Sequence, residues 1–233
     1  MKINCIWEHN GNDTLLYAAD YPGAFARGAS RGDAVKKMAN EMTAYCRWRG
    51  LPILQDVDVI ISQEKESDLQ ICDADSDVLF DAECTPLAME EYENLKQLAL
   101  KSAEDFQRLF DAIPDKHQSV LPDRKTFYGN VPRTAQEMYD HTRSVTAYYF
   151  GEVDVTADNV GTILECRQRG FAALECTPGY LENKKFDGSY GEFWTLRKVM
   201  RRFIWHDRIH AKAMYRMAVK TFGADAIPNI FEF

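Results

Sequence analysis

A change of hydrophobic period constrains this chain more than any other feature. Up to about residue 65, apolar residues alternate or crowd one side of a single helix. From about residue 85 they recur with the 3.6-residue spacing of helices. A stretch rich in Asp and Glu, from Glu64 to Glu83, separates the two patterns. The two patterns bury different kinds of face, and a chain of 233 residues can build two cores. The sequence therefore predicts an α+β N-terminal module over residues 1–65, an acidic linker over 66–84 and an all-α four-helix bundle over 85–233.

Within the first region, Ile3 to Trp7 alternates like a strand, and Asn10-Gly11 supplies a hairpin turn. Leu15 to Ala19 reads as the returning strand, Tyr21-Pro22-Gly23 breaks it, and Phe25 to Ala29 forms a third. Ser30 with Asp33 caps a helix that carries Ala34, Val35, Met38, Met42, Tyr45 and Cys46 on one side. Gly50 and Pro52 end it, and Val57 to Ile61 is a last alternating strand, giving the order β-β-β-α-β. The segments Tyr21-Pro22-Gly23 and Ala26-Arg27-Gly28-Ala29-Ser30-Arg31-Gly32-Asp33-Ala34 resemble the HicB-like module of some antitoxins. That resemblance implies a small sheet-and-helix fold able to engage a protein partner.

The second region carries four helical patterns. Thr85 and Pro86 look like a cap and first position, followed by a stripe of Leu87, Tyr92, Leu95, Leu98, Ala103, Phe106 and Leu109 up to Pro114. Thr134 and Glu137 form a capping box for a helix reaching about Phe150. A third helix is expected from about Asp158 to Leu174. Ser189 and Glu192 read as the box that opens a fourth, ending at Gly223.

At 100° per residue, His206 and His210 lie about 40° apart, in the sector of Val199, Ala213 and Met217. On the second helix His141 shares its sector with Thr134, Met138, Val145 and Tyr148. Imidazoles turned toward an apolar core need partners for their ring nitrogens, either hydrogen bonds or a metal. Three of them make a good ligand set for zinc, nickel, copper or iron, with positions left open as in catalytic sites. His9 and His117 are expected to face solvent.

The segments Thr134-Ala135-Gln136-Glu137-Met138-Tyr139-Asp140-His141 and Arg201-Arg202-Phe203-Ile204-Trp205-His206-Asp207-Arg208-Ile209-His210 resemble the DinB-like (YfiT-like) superfamily, as does Phe193 to Val199 before the second. The resemblance covers about residues 85–223. It implies a four-helix bundle whose metal ligands are His141, His206 and His210. It also implies a metal-dependent transferase or isomerase that uses a low-molecular-weight thiol as cosubstrate on a small-molecule electrophile, with nickel or zinc the leading metals.

Around these histidines, Glu137 is a candidate general base one turn from His141, although the capping box also claims it. Tyr148 and Arg202 are candidate substrate-binding residues, Arg202 through a carboxylate. Arg197, Arg201, Arg208, Lys212 and Arg216 make a basic stripe that reads as a solvated face paired with neighbouring carboxylates.

The net charge of −8 argues against a general affinity for nucleic acid, and there is no P-loop or G-x-G-x-x-G. No apolar run reaches the ~18–20 residues that span a bilayer. Six scattered cysteines without a leader peptide point to reduced thiols and the cytoplasm. Two readings follow: a metal-dependent thiol transferase, or a non-catalytic metal- or partner-binding protein that uses the HicB-like module for interaction.

Overall fold

The computed structural model describes residues 1–233. The chain is α+β and divides into two compact units, Met1–Asp81 with Phe231–Phe233, and Ala82–Ile230. No helix is long and apolar enough to cross a membrane.

In the first unit β1 (Lys2–Asn10), β2 (Asp13–Ala18), β3 (Phe25–Gly28) and β4 (Asp58–Glu66) form one sheet in the order β3-β2-β1-β4. β1 and β2 pair antiparallel with Asn10 opposite Asp13, so Gly11 sits in the turn at φ +56°, a left-handed conformation suited to glycine. β4 runs parallel to β1, which requires a crossover, and α1 (Arg31–Arg49) supplies it. The Ser30 side chain caps α1 by accepting the Asp33 N–H at 3.2 Å, and Gly50 closes it at φ +65°. Ala34, Met38, Met42, Tyr45 and Cys46 are buried along one side of this helix. A Cβ on Gly28 would stand 2.6 Å from the Ala34 backbone nitrogen, so only glycine lets the strand run into the helix here.

Residues 66–81, read from the sequence as part of a linker, are built into this unit. Glu8 is fully buried in β1, and its carboxylate accepts the N–H groups of Asp77 and Val78 at 3.0 and 3.1 Å. The Ser76 and Tyr17 hydroxyls also donate to it. Ile71, Val78 and Phe80 are buried, and the Tyr17 and Phe80 rings lie 5.6 Å apart. The acids of this stretch are exposed or half-buried while Ile71, Val78 and Phe80 anchor it, a division that composition alone conceals. The last residues also depart from the expected boundary: Phe231 stacks on Trp48 at 5.2 Å and belongs to the first unit.

The second unit contains α2 (Met89–Ala112), α3 (Ala135–Gly151), α4 (Ile163–Glu175) and α5 (Leu196–Phe222). α2 and α3 each pack on both α4 and α5. Two short hairpins, β5–β6 (Lys125–Thr126 with Gly129–Asn130) and β7–β8 (Phe186–Asp187 with Phe193–Trp194), decorate the loops. Only α3 starts at its expected cap. α2 begins three residues later than Thr85 and Pro86 suggest, because the Thr85 carbonyl accepts from Asn183 Nδ2 at 2.7 Å and from Arg197 Nε at 2.9 Å. α4 begins at a Thr162–Glu165 capping box, not near Asp158, whose carboxylate pairs with Arg169. α5 begins at Thr195, which accepts the Lys198 N–H at 3.2 Å. The expected Ser189–Glu192 box does not form, since Glu192 pairs with Lys198 at 2.8 Å.

Gly170 marks where α4 meets α3: an added Cβ would lie 2.1 Å from the Phe150 ring. Phe150 is itself wedged against Phe171 and Phe203, with centroids 5.2 and 5.1 Å away, so the ring cannot swing aside. Gly170→Ala gains up to about 1 kcal/mol of helix propensity but overpacks a filled core, at about 1–3 kcal/mol. Urea unfolding should therefore show a net loss of up to about 2 kcal/mol; a gain would mean that the two helices separate freely.

Candidate metal centre

The site is built from two helix faces. The Thr134 capping box fixes the start of α3: Thr134 Oγ1 accepts the Glu137 N–H at 3.2 Å, and Glu137 Oε2 accepts the N–H groups of Thr134 and Arg133 at 3.0 and 2.8 Å. His141 follows about one turn later. On α5 the i, i+4 spacing stacks His206 and His210 on one side of the helix. The contact between α3 and α5 brings all three rings together, with centroids 5.1 Å (His141–His206), 4.6 Å (His141–His210) and 4.3 Å (His206–His210) apart. One ligand nitrogen from each lies within 4.8 Å of the others, so the set could hold a metal ion.

His206 is buried, and His141 and His210 are half-buried. The buried Nδ1 of His206 has no hydrogen-bond partner, a polar atom that a metal ligand role would satisfy. Burial, followed by the mutual repulsion of the rings, holds the His206 pKa well below its ordinary value, and Arg202 and Arg167 add to the effect. The same causes, burial first and then His141, push His210 down to about 3. Burial lowers His141 as well. All three are therefore neutral imidazoles at neutral pH, the form that binds a cation.

Tyr149 is buried and stands edge-on to His206 at 6.0 Å, and it leads on to Trp194 at 5.3 Å. Its neighbour Tyr148 is half-buried, 6.0 Å from Trp194. Arg202, one turn before His206, lies over three aromatic rings, those of Trp205, Tyr149 and Trp194, at 4.9, 5.5 and 5.7 Å. Glu137 goes elsewhere. Its carboxylate serves the cap, whose backbone N–H groups hold its pKa below the ordinary value, and it lines a cleft with Arg124, Lys125 and Arg133 that none of the three histidines lines.

Sequence reasoning missed the group behind His206. Asp207 is wholly buried, and its carboxylate takes both arms of the equally buried Arg167 of α4, one of them at 3.0 Å. Ser102 of α2 donates to the same carboxylate at 2.5 Å, and Arg167 also reaches the Ala99 carbonyl at 3.1 Å. Three helices are thereby tied at the residue next to a candidate ligand. The signal available was an arginine within the apolar pattern of α4 and an acid 100° round from His206.

Other expectations need correction. His9 is buried, not solvent-facing: it stacks on Trp7 at 4.1 Å and meets Glu64 at 3.1 Å. His117 is exposed. The basic stripe of α5 is only partly a solvated face, since Arg201 and Arg208 are buried. Arg201 is paired with Glu83, and Arg197 with Glu91. All six cysteines are free thiols. No family model, curated protein or solved structure matches the chain.

Proposed function

We propose that this protein is a divalent-metal-dependent enzyme that transfers a low-molecular-weight thiol to a small electrophile, built on a DinB-like four-helix bundle. The observation that carries the reading is the convergence of His141, His206 and His210, with the buried Nδ1 of His206 lacking any other partner. Three neutral nitrogen donors and no carboxylate suit zinc or nickel. They leave coordination positions for water, thiol or substrate. When bound, the ion supplies Lewis acidity that brings a thiol's pKa, ~8.5 when free, below neutrality.

The chain's own residues do the rest. The histidines hold the ion from two rigid helices, and the rings of Tyr149 and Trp194 restrict water beside His206. Tyr148 and Arg202 border the substrate side. In this reading Glu137 is assigned to the helix cap, where its Oε2 accepts the N–H groups of Arg133 and Thr134. In the transfer, sulfur forms a bond to carbon as the C–Cl bond of a chlorinated acceptor, or the C–O bond of an epoxide, breaks. The thiol proton passes to solvent or to the opened oxygen.

Elemental analysis of the purified protein tests the first half: about one zinc or nickel ion per chain is expected, with His206→Ala retaining its helical circular dichroism but little metal. For the second half, cellular thiols are offered with chlorinated and epoxide acceptors, with and without added metal. Turnover independent of metal would reject the mechanism. Metal-loaded protein that binds thiols without turnover would point instead to the non-catalytic binding role.

A further inference from the structure

We infer that the β5–β6 hairpin and the cleft at its base bind single-stranded nucleic acid. Cations of the cleft hold the phosphates, and the exposed rings of Phe127 and Tyr128 stack on bases. The site is separate from the metal centre, since none of the three histidines lines the cleft.

The hairpin turns through two residues, with Thr126 opposite Gly129 and Lys125 opposite Asn130. Such corners are ordinarily taken by glycine, asparagine, aspartate or serine, which suit the turn and keep its tip polar. Here the corner residues are Phe127 and Tyr128, 57% and 46% exposed. Their rings meet edge to face at 4.9 Å and stand in water rather than on the core. Grouped apolar surface of this kind marks a place of contact with another molecule.

Charge says what kind of molecule. The cleft, about 560 Å³, is lined by Arg124, Lys125, Asn130 and Arg133, together with Asp123 and Glu137. Both acids are committed, Asp123 to Arg133 at 2.8 Å and Glu137 to the N–H groups of Arg133 and Thr134. Three cations thus face two acids, and Lys125 pairs with neither. The whole chain carries −8, which opposes any general attraction to phosphates. A local excess of cations beside exposed rings is therefore a distinct feature of this hairpin. An electropositive cleft flanked by aromatic rings is how single strands are held without sequence preference. A duplex offers the rings no free base faces, and a bilayer cannot enter a cleft.

The test is fluorescence anisotropy of the full-length protein with a labelled oligothymidylate of about ten nucleotides. Binding should weaken steeply as salt is added, because phosphate contacts release counterions. The double variant Phe127→Ala, Tyr128→Ala should weaken it by about tenfold or more, while its affinity for heparin, a polyanion without bases, stays native. Lys125→Ala should weaken both, and should reduce the slope of log K against log salt by about 0.7. These residues are exposed, so helical circular dichroism should be unchanged in every variant. Native protein that ignores the oligonucleotide at low salt would overturn the inference. Thymidine monophosphate competing as strongly as the unlabelled oligonucleotide would overturn it in favour of a small phosphate ligand. Tighter, ring-dependent binding to phosphatidylserine vesicles would overturn it in favour of a membrane surface.

Discussion

Asp207→Asn is expected to cost about 3–5 kcal/mol of stability, since removing one partner of a buried ion pair strands the other charge. Arg167 is wholly buried with its two arms on Asp207, and its guanidinium stacks over Phe203 at 4.2 Å, so it cannot reach solvent when the acid is neutralised. Burial raises the Asp207 pKa against the opposing pulls of Arg167 and Ser102, a sign that the pair repays its desolvation poorly. The double variant Arg167→Met, Asp207→Leu should therefore recover most of the loss. Guanidinium unfolding of the three proteins checks both statements. A single variant within about 1 kcal/mol of native would show that Arg167 finds another acceptor in the core. Because Asp207 adjoins His206, the single variant is also expected to bind metal more weakly than the double.

Acid sensitivity of the metal-free protein is the second large effect. The His210 pKa falls from 6.5 to about 3 on folding, and those of His141 and His206 also fall. A base with a depressed folded pKa contributes stability that is fully present above its unfolded value. As pH drops below 6.5 the unfolded chain binds protons that the folded chain refuses, so stability declines down to about 3, where His210 accepts its proton. The slope is about 1.4 kcal/mol per pH unit for each imidazole that stays neutral. Over that interval His210 alone accounts for on the order of 5 kcal/mol. Urea titrations of chelator-treated protein between pH 7 and 4 should show this decline. A triple His→Phe variant should have a flatter profile, and a slope shared equally by the variant would assign the acid sensitivity to carboxylates elsewhere.

Sequence alone determined the features that depend on short-range pattern. The alternating strands around Asn10-Gly11, the Ser30 cap, the Thr134–Glu137 box and the change from period two to period 3.6 are written within a few residues of where they act. So is the i, i+4 pair His206 and His210, because helix geometry makes neighbours of residues four apart. That His141 would join them followed from its apolar sector, and the centroid distances place it there.

Tertiary structure decided what competes over long range. The Thr85 carbonyl is taken by Asn183 and Arg197, 98 and 112 residues away, and Glu192 is taken by Lys198 before it can cap a helix. The acidic stretch is folded because Glu8, 69 and 70 residues upstream, accepts the N–H groups of Asp77 and Val78. Asp207 and Arg167 read as ordinary surface charges until packing places them together, 40 residues apart and without solvent. A buried charge is tolerated only with its partner, and the identity of that partner is fixed by which helices meet, not by any residue beside it in the chain.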